Sequence, residues 1–127
     1  MLNGKVVLVT GGTGSFGHKF TEVVLHRYNP EKLIIFSRDE MKQYEMKKEF
    51  SEAKYDCLRY FVGDVRDAER LHRAFDGVDI VVHAAALKIV PTAEYNPFEA
   101  VKTNIIGAEN IINVAIDNGV EKVIALS

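Results

Sequence analysis

Residues 5–17 read KVVLVTGGTGSFG, an apolar run from Lys5 to Thr10 that passes directly into Gly11-Gly12-Thr13-Gly14-Ser15-Phe16-Gly17. The run is apolar on both faces of an extended chain, the pattern of a strand buried inside a parallel sheet. The glycines satisfy G-x-G-x-x-G at Gly12, Gly14 and Gly17, and G-x-x-G-x-x-G at Gly11, Gly14 and Gly17. Beyond them Phe16, Phe20, Val23, Val24 and Tyr28 fall at helical spacing, and Asn29-Pro30 closes the helix. Strand, glycine loop and helix in succession form the context in which such a loop binds a dinucleotide. Small residues let the backbone turn tightly and approach a diphosphate, while the helix start aims free N–H groups at its charge. A turn that merely needs positive φ is the alternative reading.

The rest of the chain repeats this alternation. Leu33–Phe36, Leu58–Val62, Val78–His83 and Lys122–Leu126 read as further strands. Asp39–Phe50 reads as a charged helix with Met41, Tyr44 and Met46 as its apolar members. Asp67 is placed to cap a short helix that turns Leu71, Ala74 and Phe75 inward. Asn96, Pro97 and Glu99 mark the start of a long helix, and Gly119 marks its end. Its buried stripe is expected along Val101, Ile105, Ala108, Ile112, Ala115 and Ile116. Five strands alternating with four helices predict an α/β fold: a doubly wound parallel sheet, Rossmann-like, in order 3-2-1-4-5. Ligands of such sheets sit beyond the carboxyl ends of the strands, where the order reverses.

Composition excludes several classes. The 127 residues, 47% hydrophobic and 27% charged, suit a single domain with its own core. Sixteen basic against 18 acidic residues give a net charge of -2, which argues against a nucleic-acid surface. No apolar run approaches the ~20 residues of a membrane span, and no signal-peptide pattern opens the chain. Cys57 is the single cysteine and cannot form an intrachain disulfide, in keeping with a cytoplasmic protein. No zinc spacing, P-loop or nucleophile elbow is present.

Candidate site residues cluster after the strands. Ser37-Arg38 stands where a protein preferring NAD usually has Asp or Glu for the ribose hydroxyls, and Lys42 follows one helical turn later. Arg38 can fork onto a 2′-phosphate and Lys42 can add a point charge, so NADP is favoured over NAD. Alternatively these are solvated helix-face cations, and Asp39 and Glu40 dilute their field. Asp64 can accept from an adenine amino group with Val65 against the ring, or it can simply cap a turn. Ala84-Ala85-Ala86 are small enough for close backbone approach to a cofactor, or begin a helix. Lys88, in an otherwise apolar stretch, contacts substrate or the nicotinamide ribose, or lies in an exposed loop. His83 reads as a satisfied core histidine.

TGGTGSFG (Thr10–Gly17), FSRDEMKQ (Phe36–Gln43), FVGDVRD (Phe61–Asp67) and HAAALKIVPTAEYNPFEAVKTNIIGAENII (His83–Ile112) together resemble the extended short-chain dehydrogenase/reductases. More narrowly they resemble the inverting UDP-N-acetylglucosamine 4,6-dehydratases of bacterial surface-glycan and flagellin-sugar biosynthesis. The resemblance implies that Thr13–Phe16 hold the NADP diphosphate, Ser37–Lys42 its 2′-phosphate end and Asp64-Val65 its adenine. It places Ala84 and Lys88 along the ribose-nicotinamide half, Lys88 also near a UDP-sugar. Thr103 and Asn104 match the helix position whose asparagine supports the active site. It implies a homo-oligomer with subunit contacts through the helix from Pro97.

The reaction so implied is a closed redox cycle. Hydride leaves sugar C4 for NADP+, C5 loses a proton, water leaves C6, and the hydride returns to C6 with inversion at C5. Relatives carry Thr-Asp-Lys and Tyr-x-x-x-Lys segments and a substrate-binding region that do not occur here. Tyr44 and Lys48 have the second spacing, but on the charged helix away from the expected cleft. Residues 1–127 are therefore expected to be the NADP-binding domain of a longer enzyme, inactive alone. A different sugar-nucleotide epimerase or dehydratase, or a non-catalytic NADP-binding module, are the alternatives.

Overall fold

The structure, a computed structural model, describes residues 1–84 and 97–126, with 97–104 described by backbone alone. In chain order the elements are β1 (Val6–Thr10), α1 (Ser15–Arg27), β2 (Lys32–Ser37), α2 (Glu40–Glu49), β3 (Leu58–Val62), α3 (Ala68–Ala74), β4 (Ile80–His83), α4 (Pro97–Asp117) and β5 (Lys122–Ala125). All strand pairs are parallel and the sheet order is β3-β2-β1-β4-β5, as the alternation of elements predicts. Thr10 is level with both Phe36 and His83, and Ser37 with Val62, so the strand ends form one rim.

Strand pleating divides the core into two layers. Val6 and Leu8 face one way, joining Ile34, Phe36, Val81 and the α3 and α4 side chains Leu71, Ile111 and Val114. Val7 and Val9 face the other, joining Leu33, Ile35, Val82, Val24 of α1 and Met46 of α2. Full burial of each such aliphatic side chain contributes about 1.5–3 kcal/mol, which makes the central strand β1 the anchor of both layers. At the sheet edge every residue of β5 is exposed.

Helix caps follow the sequence. Asp67 accepts from the Arg70 N–H at 3.1 Å, and Asp39 caps α2 through the Lys42 N–H at 3.0 Å. Past α4, the Val120 N–H closes onto Ala115 O at 3.0 Å, beside the expected Gly119 cap. The Asn96 cap lies outside the described residues.

Three helix faces differ from expectation. In α1 the buried positions are Gly17, Thr21 and Val24, while Phe16 is exposed and Tyr28 lies past the helix end, also exposed. Small residues win there because the helix start packs onto the glycine loop: a Cβ on Gly17 would lie 2.3 Å from Gly12 O. In α4 the inward residues are Ile111, Val114 and Ala115, and Ile105, Ile112 and Ile116 face outward. Apolar residues surround that helix, so spacing alone cannot choose a face. Its rotation is set where Gly107 meets Val65 and where the Asn110 side chain donates to Val65 O at 2.9 Å. Along α2, Met41 and Tyr44 are exposed, and Gln43 and Met46 are the buried pair.

Candidate functional site

A cleft of about 520 Å³ opens at the carboxyl rim of the sheet, beside β1 and β4, where the strand order reverses. Its floor and walls include Gly11, Thr13, Gly14, Ser15 and Phe16 after β1, and Ser37, Arg38, Asp39 and Lys42 after β2. Asp64 and Val65 after β3 and Ala84 after β4 complete the predicted set. Twelve sequence-predicted residues thus meet in one cavity. Gly17 does not line it and packs on Gly12 instead; Glu40 is exposed on α2 and does not line it either. Ala85, Ala86 and Lys88 lie outside the described residues, as does the side chain of Asn104.

The glycine loop is built to expose some amides and use others. Gly11 has φ +64°, a backbone state open to glycine at little cost. The Gly12 N–H donates to Phe36 O at 3.2 Å and the Gly14 N–H to Gly11 O at 3.1 Å, and these two bonds hold the turn. Among the described residues the N–H groups of Thr13, Ser15 and Phe16 meet no protein acceptor. Gly14 caps α1 without a side-chain hydrogen bond, and the first turn carries no acidic residue. That combination of open amides and positive helix end suits an anion.

At the β2 end of the cleft, Arg38 and Lys42 are exposed cations facing the acidic Asp39 and Asp64. Both carboxylates already have partners. Asp39 is engaged as the α2 cap. The Arg66 guanidinium grips Asp64 through Nη2 at 2.8 Å and Nε at 3.1 Å, and the Arg66 N–H adds a bond at 2.9 Å. Hydrogen bonding from Arg66 holds the Asp64 carboxyl below its usual range against the effect of burial, and Arg38 adds to this. Asp64 is thus paired with Arg66, while Arg38 and Lys42 have no ion-pair partner among the described residues.

Phe36, Gly63, His83 and Gly107 also line the cleft, although sequence reading assigned them no ligand role. Gly63 sits against the Phe36 ring, where a Cβ would come within 2.8 Å. His83 is buried with Nδ1 2.6 Å from Thr10 Oγ1, the satisfied core histidine expected. Among the described residues no cluster of His, Cys, Asp and Glu could hold a metal ion. No described helix is long and apolar enough to cross a membrane.

A parallel sheet in this order, with a glycine loop beside its switch point, defines a Rossmann-like α/β protein. Residues 7–127 match the family described as polysaccharide biosynthesis protein, and the chain belongs to that family. It is 59% identical over 127 residues to a UDP-N-acetylglucosamine 4,6-dehydratase (inverting) of Campylobacter jejuni, covering 100% of this chain and 37% of that protein. A UDP-glucose 4-epimerase of Rickettsia massiliae is 48% identical over 130 aligned residues, covering 97% and 36%. Among solved structures, a UDP-glucose 4-epimerase from Bifidobacterium longum in complex with NAD+ and UDP superposes with a TM-score of 0.74 at 26% identity, covering 96% and 36%. The chain thus spans little more than a third of the length of the curated relatives it matches.

Proposed function

We propose that this chain is the cofactor-binding part of an NADP-dependent, C5-inverting UDP-N-acetylglucosamine 4,6-dehydratase. The observation that carries the reading is the continuity of one cleft, from the open amides of Thr13, Ser15 and Phe16 to the cations Arg38 and Lys42. A dinucleotide with a 2′-phosphate matches both ends. Identity of 59% to an enzyme named for this reaction supports the substrate class. When bound, the nicotinamide supplies reversible hydride storage. The chain's own residues hold and orient: the loop amides grip the diphosphate, Arg38 and Lys42 the 2′-phosphate, and Asp64 and Val65 the adenine. The resemblance to the dehydratases assigns Lys88 to the sugar nucleotide and nicotinamide ribose and Asn104 to support of the active site; both side chains lie outside the described residues. Proton transfer belongs to residues outside positions 1–127, so these residues alone turn over no substrate.

Calorimetric titration tests the cofactor: NADP+ binds more tightly than NAD+, and absence of binding by either removes the reading. The 48% identity to a UDP-glucose 4-epimerase favours a second reading, sugar-nucleotide epimerisation on the same cofactor platform. Protein expressed from the complete gene, given UDP-N-acetylglucosamine, separates the two by NMR of its product. A 4-keto-6-deoxy sugar inverted at C5 supports dehydration, and a C4 epimer supports the alternative.

A further inference from the structure

Gln43 and Met46 are the buried side chains of α2, and Gln43 reaches the rim of the sheet from beneath the cleft. Its Nε2 lies 3.1 Å from Phe61 O, 3.3 Å from Ser37 O and 3.0 Å from Ser37 Oγ. Two of these three partners are carbonyl oxygens, which can only accept, so chemistry dictates that the amide turns its NH2 group toward them. The NH2 carries two hydrogens, and its two shortest contacts, Ser37 Oγ at 3.0 Å and Phe61 O at 3.1 Å, take them; Ser37 Oγ therefore accepts from Gln43, and its own proton points elsewhere. Among the described residues Gln43 is the partner of that hydroxyl, and no protein acceptor takes its proton. Ser37 lines the cleft beside Arg38 and Lys42.

We propose that Gln43 is a positioning residue for cofactor choice: it makes Ser37 a committed donor toward the 2′-phosphate of NADP without touching the cofactor itself. The phosphate oxygens are charged acceptors, and a hydrogen bond to a charged group is about twice as strong as one between neutral groups. A ribose 2′-hydroxyl in the same place gains less from the same donor. The same amide ties the end of β2 to β3, so the donor is held at a fixed place on the rim. This inference rests on the NADP reading above.

Calorimetry with 2′,5′-ADP and 5′-AMP, on protein expressed from the complete gene, isolates the 2′-phosphate as the one chemical difference. Gln43→Met keeps length and bulk but has no donor. It weakens 2′,5′-ADP about tenfold, the scale of one hydrogen bond to a charged group, and leaves 5′-AMP within about twofold. Ser37→Ala produces the same selective loss, and Gln43→Met adds nothing further in that background because both act through one hydroxyl. Equal weakening of the two probes, or additive losses, overturns the positioning role. Wild-type protein that binds the probes equally overturns the NADP reading and this inference with it. A wild-type preference that survives in Gln43→Met overturns the inference alone. Should Gln43→Met fail to fold, Ser37→Ala with Gln43 intact decides: retention of the full 2′-phosphate preference overturns it.

Discussion

Nδ1 of His83 lies 2.6 Å from Oγ1 of Thr10, joining the carboxyl ends of β4 and β1 at the point where the cleft opens. Both side chains are buried, and burial pushes the imidazole below its ordinary value of 6.5. The folded protein therefore binds this proton less readily than the unfolded chain does. Stability from this group is fully present above the unfolded value and drains as pH falls below it.

Urea denaturation should accordingly show stability falling as pH drops below the ordinary value of 6.5, by at most about 1.4 kcal/mol per pH unit for this one group. His83→Gln keeps a polar atom facing Thr10 and does not titrate in that window, so its pH slope is shallower than that of the wild type. Equal slopes in the two proteins would show that His83 is not the responsible group.

Two glycines predict opposite kinds of damage. A Cβ on Gly17 would meet the backbone oxygen of Gly12 at 2.3 Å, and neither partner can move without opening the loop. Gly17→Ala should cost about 3 kcal/mol or more in unfolding free energy and abolish nucleotide binding. A Cβ on Gly107 instead meets Cγ2 of Val65 at 2.7 Å, a side chain at the cleft wall. The helix gains about 1 kcal/mol of propensity from Gly→Ala, which offsets the crowding. Gly107→Ala should stay within about 1 kcal/mol of wild-type stability while displacing Val65 and weakening adenine-nucleotide binding in calorimetry.

The order of elements was legible because each signal is local. Val6–Val9 are all buried as their unbroken apolar run requires, and Asp67 caps α3 as its position predicts. The cleft was legible for the same reason: most of its predicted lining follows directly after a strand, where topology brings strand ends together. Helix rotation was not legible. In α4 the choice between Ile111 and Ile112 depends on Gly107 seating against Val65, a contact between residues far apart in sequence. Gln43 gave no signal either, being one polar residue in a charged helix until β2 and β3 place their oxygens around it.

Charge at the β2 end predicts a salt-sensitive cofactor preference. Arg38 and Lys42 are exposed, so their pull on a 2′-phosphate acts partly through screened solvent. Arg38→Ala should weaken NADP+ binding about tenfold or more, through loss of a bidentate partner, and Lys42→Ala by less. NAD+ affinity should change little in either variant. Raising salt should narrow the NADP+ to NAD+ ratio in the wild type and leave it nearly flat in the double variant. Parallel losses for both nucleotides would move these cations off the 2′-phosphate.

The outward face of α4 predicts self-association. Ile105, Ile112 and Ile116 are 54%, 53% and 72% exposed along one helix, an unusual surface for a chain that remains alone in water. The edge strand β5 also leaves Val123 exposed, and open strand edges invite pairing. Ile112→Lys should leave unfolding free energy within about 0.5 kcal/mol of wild type, because that side chain leaves no core vacancy. In sedimentation velocity it should shift the population from oligomer toward monomer. Ile111→Ala, one position earlier and fully inside, should instead cost about 2–5 kcal/mol. If Ile112→Lys were the variant that unfolds and Ile111→Ala the one tolerated, α4 would bury the stripe through Ile105, Ile112 and Ile116 that is expected from the sequence, and Gly107 would not be what sets its rotation.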